Sequence, residues 1–192
     1  VRPPGHHAEP ETAMGFCFFG NAAIAALHAR ERHGLERVAV VDFDVHHGNG
    51  TQAIVWDNPD VMLLSTHQMP LFPGTGASDE RGAHDQIVNA PLAGGSGGDA
   101  FRTAWATTLL PRLRAFAPAL IVISAGFDAH ADDPLAGLRL GEADFAWLTR
   151  EVTAIARDVC RGRVVSTLEG GYDLPSLGAG AAAHVAALMD AG

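Results

Sequence analysis

Apolar residues fall along this chain in two alternating rhythms. Continuous runs rich in β-branched residues stand at Val38 to Val41, Val61 to Leu64, Leu120 to Ile123 and Val164 to Leu168, with a weaker one at Ile87-Val88. Runs without polar alternation fit strands covered on both faces, as in a parallel sheet. Between them, apolar positions recur at helical spacing. Phe101, Trp105, Leu109, Leu113 and Phe116 share one helical face, and Phe145, Leu148, Val152, Ile155 and Val159 share another. Ala-rich segments from Phe18 to Arg32 and from Leu177 to Met189 predict two more helices. Strand and helix in alternation argue a doubly wound α/β sheet with right-handed crossovers. The Gly- and Pro-rich stretches Met69 to Asp85 and Ala93 to Asp99 read as loops inside one domain, because periodic structure resumes after each.

Composition narrows the function classes. At 192 residues, 47% apolar and 18% charged, the chain has the make-up of one folded domain with a real core, not of a disordered segment. Thirteen basic residues, all Arg, face twenty-two acidic ones for a formal charge of −9, which argues against a nucleic-acid partner. No apolar run approaches the roughly 20 residues of a spanning helix, so no membrane partner is expected. Two cysteines, Cys17 and Cys160, cannot build a disulfide framework and point to a reducing, cytoplasmic compartment. The Arg-only, Ala-rich composition points to a bacterial host. Ten histidines are many for this length and direct attention to metal or proton chemistry.

The densest chemistry follows the first strand, at Asp42-Phe43-Asp44-Val45-His46-His47-Gly48-Asn49-Gly50. In extended backbone Asp42, Asp44 and His46 project to one side. Asp44 and His46 would then lie beyond a strand's carboxyl end, where open α/β sheets bind ligands. A carboxylate and an imidazole make two-thirds of a catalytic zinc site, which takes three protein ligands and one open position. Asp128, in Ala125-Gly126-Phe127-Asp128, can reach the same rim from another strand. Asp132 and Asp133 are the alternatives, although Asp133 before Pro134 looks like turn chemistry and His130 like a surface residue. His6-His7 in a Pro-Gly loop has the intrinsic pKa to take a proton from water and return it to a leaving amine. Tyr172, the only tyrosine, follows Glu169-Gly170-Gly171; it is either an oxyanion hydrogen-bond donor or a packing residue. Together these groups describe metal-assisted attack of water on a carbonyl.

The motifs Arg2-Pro3-Pro4-Gly5-His6-His7-Ala8-Glu9, Gly15-Phe16-Cys17-Phe18-Phe19, Asp42 to Gln52, Phe72-Pro73-Gly74-Thr75-Gly76, Ala125 to Asp128 and Glu169 to Tyr172 resemble, in order, the zinc-dependent histone deacetylase family. The flavour is that of class II-type enzymes and their bacterial relatives, the acetylpolyamine amidohydrolases and acetoin-utilization proteins. The resemblance implies an arginase/deacetylase-like three-layer α/β/α fold with a mainly parallel sheet. It implies zinc on Asp44, His46 and Asp128, with His7 as general base and His6 assisting. Asp42 would orient His6 and Asn49 would hold His7. Many family members carry Asp at the latter position, so Asn49 should leave His7 less basic. Tyr172 would stabilise the oxyanion. Gly15, Phe16 and Phe72 would form an apolar tunnel, with Leu135 near its mouth. A potassium ion would take the main-chain carbonyls of Asp42, Asp44 and His46 and the hydroxyl of Ser65. The substrate would be an acetylated lysine peptide. The alternatives are an acetylated polyamine or other small amine, or a binding role for an inactive fragment. The resemblance further implies that residues 1–192 are a partial catalytic domain lacking its N-terminal third; a chain beginning here would leave sheet edges open and is expected to associate with copies of itself.

Overall fold

A computed structural model describes residues 3–190. Its strands are β1 (Val38–Asp42), β2 (Val61–Gln68), β3 (Ile87–Leu92), β4 (Leu120–Ala125) and β5 (Val164–Leu168). They form one sheet in the order β3-β2-β1-β4-β5, and every neighbouring pair is parallel. The helices are α1 (Asn21–His33), α2 (Asn49–Val55), α3 (Gly98–Ala104), α4 (Leu110–Phe116), α5 (Glu142–Cys160) and α6 (Leu174–Met189).

Alternate strand residues divide the core into two layers. Val38, Val40, Val61, Leu63, Ile87 and Val122 pack against Ala22, Ala26 and Ala29 of α1. Ala39, Val41, Met62, Leu64, Ile121 and Ile123 face the other way, onto Phe101, Trp105, Leu113, Phe145, Leu148 and Val152. Both faces of the sheet are covered at β1, β2 and β4, and this is why these strands open on runs without polar alternation; β5, expected to be covered likewise, lies at the sheet edge with Val165 and Ser166 exposed. Each fully buried large side chain here contributes about 1.5–3 kcal/mol of apolar transfer.

β2 runs four residues past its apolar stretch. Ser65, Thr66 and His67 are buried, but Trp105 Nε1 donates to Thr66 Oγ1 at 3.0 Å and Ser65 pairs with His67, so polar strand residues are satisfied inside the protein. The stripe from Phe101 to Phe116 is helical throughout, with a π turn at Trp105–Leu109 between α3 and α4. That turn falls just before Pro111, which has no N–H to continue α-helical pairing. α2 had no apolar periodicity to announce it; it starts at Asn49, immediately after the histidine-rich run. α1 stops at Gly34, whose φ of 66° ends the helix in the left-handed region. α6 starts where Asp173 accepts the Ser176 N–H at 3.0 Å.

The strand order reverses direction between β1 and β4. Ligand sites of open α/β sheets lie at such a switch point, beyond the carboxyl ends of the strands. The loops leaving β1, β4 and β5 all open there.

Candidate active site

Beyond Asp42 the chain leaves the sheet and bends through Asp44, Val45 and His46. Asp42, Asp44 and His46 are thus not three residues on one side of an extended strand. The bend separates their roles: Asp42 turns to His6, while Asp44 and His46 meet Asp128. His46 Nδ1 stands 3.1 Å from Asp44 Oδ1 and 3.1 Å from Asp128 Oδ2, and one ligand atom from each of the three residues falls within 4.8 Å of the others. Both carboxylates are buried and His46 is nearly so. One imidazole nitrogen thus faces two carboxylate oxygens, although it carries at most one hydrogen. Two carboxylates and an imidazole converging in this way suit a divalent cation of borderline softness such as zinc.

The surroundings hold this triad. The main-chain N–H of Gly170 donates to Asp44 Oδ2 at 2.8 Å, and that of Val45 donates to Asp128 Oδ1 at 3.0 Å. A Cβ on Gly170 would collide with the carboxylates of both Asp44 and Asp128, so the loop after β5 can approach them only as glycine. Charges follow the crowding. Burial, and then the neighbouring Asp44 charge, push Asp128 up to about 7. Burial alone would raise Asp44 too, but His6 and His46 hold it well below the usual carboxylate range. Burial would lower His46, yet its two carboxylate partners raise it to about 10.

The two adjacent histidines are buried and point to different partners. His6 Nδ1 is 3.0 Å from Asp42 Oδ2, and its ring nitrogen Nε2 is 3.6 Å from Asp44. Burial would lower His6, but Asp44 and Asp42 raise it well above its ordinary value. His7 Nδ1 is 2.8 Å from Asn49 Oδ1. Burial, followed by the charge on His6, lowers His7 to about 3, so its ring is neutral at pH 7.

His7 and His46 open onto a pocket of about 530 Å³, also lined by Gly15, Phe16, Leu71, Phe72, Leu135 and Tyr172. The Phe72 ring lies 5.1 Å from that of His7, and Phe16 lies 6.0 Å from Tyr172. Gly15 has φ 56°, and a side chain there would run into the His7 ring. Of the residues expected at the site, His7, Gly15, Phe16, His46, Phe72, Leu135 and Tyr172 line this pocket, Asp44 and Asp128 meet His46, and Asp42 and Asn49 meet His6 and His7; Ser65 lies apart, beside Asp42 in the β1–β2 register, and hydrogen-bonds His67 Nδ1 at 2.9 Å.

Three contributors were not anticipated as site residues. Leu71 joins the pocket wall. Glu169, fully buried, accepts from the main-chain N–H groups of Gly5 and His6 and from Ser124 Oγ, which fixes the histidine loop to the sheet. Asp133 accepts the N–H of Leu135 at 3.0 Å and that of Tyr172 at 2.8 Å, so the residue read as turn chemistry ties together two pocket walls. Glu169 is visible in its motif and Asp133 in its Asp-Pro step, but the partners of Glu169 are 45 or more residues away in sequence and those of Asp133 are bare backbone. His130 is buried rather than at the surface; its Nδ1 accepts the Asp132 N–H at 3.1 Å.

A parallel sheet opening at its switch point onto two buried carboxylates and an imidazole is the arrangement of the arginase/deacetylase fold. Residues 1–188 match the histone deacetylase domain family, and the chain belongs to it. It is 47% identical over 98% of its length to Histone deacetylase 14, chloroplastic, of Arabidopsis thaliana, of which it spans 45%. It is 49% identical over 89% of its length to the Histone deacetylase-like amidohydrolase of Pseudomonas aeruginosa, spanning 46%. Among solved structures, it superposes on the HDA15 HD domain with a TM-score of 0.93 at 43% identity, covering 99% of this chain and 54% of that one. The acetylpolyamine aminohydrolase of Burkholderia pseudomallei gives 0.89 at 40%, covering 97% and 54%. The chain thus spans about half the length of each of these four relatives.

Proposed function

We propose that this chain carries the catalytic centre of a zinc-dependent amidohydrolase that removes the acetyl group from acetyl-lysine side chains or related acetylated amines. The observation that carries this reading is the Asp44, His46 and Asp128 triad, whose His46 lines one apolar-walled pocket together with His7 and Tyr172. Zinc held by Asp44, His46 and Asp128 supplies Lewis-acid polarisation of the amide carbonyl and a lowered pKa for water.

The residues of the chain do the rest. His7, neutral and held through Nδ1 by Asn49, receives the proton of the attacking water at Nε2 and delivers a proton to the departing amine nitrogen as the C–N bond breaks. His6, paired with Asp42, holds positive charge beside the reacting centre. The Tyr172 hydroxyl donates to the carbonyl oxygen as it gains charge. Phe16 and Phe72 flank the aliphatic stem of the substrate, Gly15 leaves the space it needs, and Leu135 lines the pocket where the stem emerges. Acetate and a free amine are the products. A structural potassium ion belongs to the same reading, on the carbonyls of Asp42, Asp44 and His46 and the hydroxyl of Ser65; the β1–β2 register brings Asp42 and Ser65 side by side.

An acetylated polyamine is the second candidate, favoured by a formal charge of −9. The apolar Leu135 favours acetyl-lysine, because a carboxylate would be needed to engage a distant ammonium. Acetate release from an acetyl-lysine peptide and from acetylputrescine, measured side by side, tests the proposal. The peptide is expected to be the better substrate, and Tyr172→Phe is expected to lower kcat by about 10²–10³ with little change in KM. Release of no acetate from either compound, or an undiminished kcat in Tyr172→Phe, would overturn it.

A further inference from the structure

The Asn49 carboxamide has two ends of similar shape and opposite chemistry. Its Oδ1 stands 2.8 Å from His7 Nδ1. With oxygen on that side, His7 carries its hydrogen on Nδ1 and keeps Nε2 as a lone pair. With the amide reversed, an N–H would be offered to Nδ1, the hydrogen would move to Nε2, and the ring could no longer accept a proton there. Nothing in the Asn49–His7 contact itself chooses between the two.

The choice is made on the other side of the amide. Asn49 Nδ2 lies 2.7 Å from Glu9 Oε1 and 3.3 Å from Met14 Sδ. An ionised carboxylate and a thioether accept hydrogen bonds and donate none. Reversing Asn49 would set its carbonyl oxygen against the Glu9 carboxylate, replacing a charge-assisted hydrogen bond with lone-pair repulsion. Glu9 is the stronger of the two acceptors, and its charge polarises the amide so that Oδ1 accepts more strongly from His7. Glu9 belongs to a groove of about 430 Å³ that also includes Asn49, Gln52, Trp56 and Asp57, and it does not line the substrate pocket. Its replacement therefore leaves the pocket walls in place.

We infer that Glu9 is a positioning residue that acts through Asn49 to hold His7 in its Nδ1–H tautomer. The inference rests on the proposed role of His7 as the base, but the tautomer can be read without any reaction. In protein labelled with ¹⁵N-histidine, long-range ¹H–¹⁵N spectra are expected to show His7 protonated on Nδ1 in the wild type, and a smaller Nδ1-protonated share in Glu9→Gln, whose amide can donate as well as accept. Glu9→Ala is expected to show a population protonated on Nε2. In the same series, Glu9→Ala should lower kcat about tenfold with KM within about twofold, and Glu9→Gln should fall between it and the wild type. Asn49→Asp presents oxygen whichever way it turns, so adding Glu9→Ala to that background should cost nothing further. An unchanged His7 tautomer in Glu9→Ala, or an equal loss of kcat in the Asn49→Asp background, would overturn the inference. If no variant hydrolyses an acetylated amine while the tautomer still follows Glu9, the deacetylase reading fails and the positioning role stands.

Discussion

Glu169 and Gly5, 164 residues apart, are joined by a 2.6 Å hydrogen bond in which the Gly5 main-chain N–H donates to the Glu169 carboxylate. The same carboxylate receives the His6 N–H and the Ser124 hydroxyl, so one buried acid anchors the histidine loop to the ends of β4 and β5. Replacing it by Ala would strand three buried donors. Glu169→Ala is therefore expected to destabilise the fold by about 2–4 kcal/mol, read from urea unfolding, and to lower kcat as His6 and His7 lose their placement. Glu169→Gln, which keeps one acceptor, should cost less on both counts.

Asp133 links Tyr172 to Leu135 through their main-chain N–H groups. Asp133→Ala should lower kcat by about tenfold or more with a stability loss of about 1–2 kcal/mol, because the tyrosine loop is released while the core is untouched. In a Tyr172→Phe background the same substitution should have little further effect on kcat, since both act on one hydrogen-bond donor. Full additivity in that double-mutant cycle would assign Asp133 a different role.

Leu135 is half-exposed where the pocket meets solvent. Leu135→Glu places a carboxylate where a polyamine's remote ammonium would pass. The ratio of kcat/KM for acetylputrescine over acetyl-lysine peptide is expected to rise about three- to tenfold at low salt and to shrink as salt is added. An unchanged ratio would mean that the chain emerges elsewhere.

His184 is buried between α5 and β5, hydrogen-bonded to Thr149 Oγ1 and Ser166 Oγ. Burial lowers its pKa to about 4 from the ordinary 6.5. Above pH 6.5 the ring is neutral in both folded and unfolded chains, and its contribution is fully present. Between about 6.5 and 4 the unfolded chain binds a proton that the folded one refuses, so stability falls as pH falls. The total is of the order of 3 kcal/mol. Unfolding free energies of the wild type and His184→Gln should converge over that pH window, and parallel curves would show that His184 does not titrate as described.

The layered fold was legible because parallel strands and amphipathic helices each leave one plain rhythm. Val164 to Leu168 forms its strand with the expected ends, and Phe145 to Val159 lies inside α5. What periodicity missed was buried but polar, such as the second half of β2, or short, such as α2. The groups of the site were legible as residue types crowded beyond strand ends, together with a family resemblance. Their division of labour came only from that resemblance, which paired Asp42 with His6 and Asn49 with His7, as the structure does. Whether Asp42 stood with Asp44 or with His6 depended on a bend after β1 that alternation cannot foresee, and the anchoring by Glu169 and Asp133 depended on main-chain donors that have no sequence signature.

Zinc titration of chelator-treated protein, followed by acetate release from an acetyl-lysine peptide, tests the proposed chemistry most directly. Activity is expected to be absent at the start, to rise with added zinc and to saturate at one zinc per chain, while Asp128→Ala stays inactive throughout. Full activity before zinc is added, or an Asp128→Ala curve that coincides with the wild type, would contradict a catalytic zinc on Asp44, His46 and Asp128.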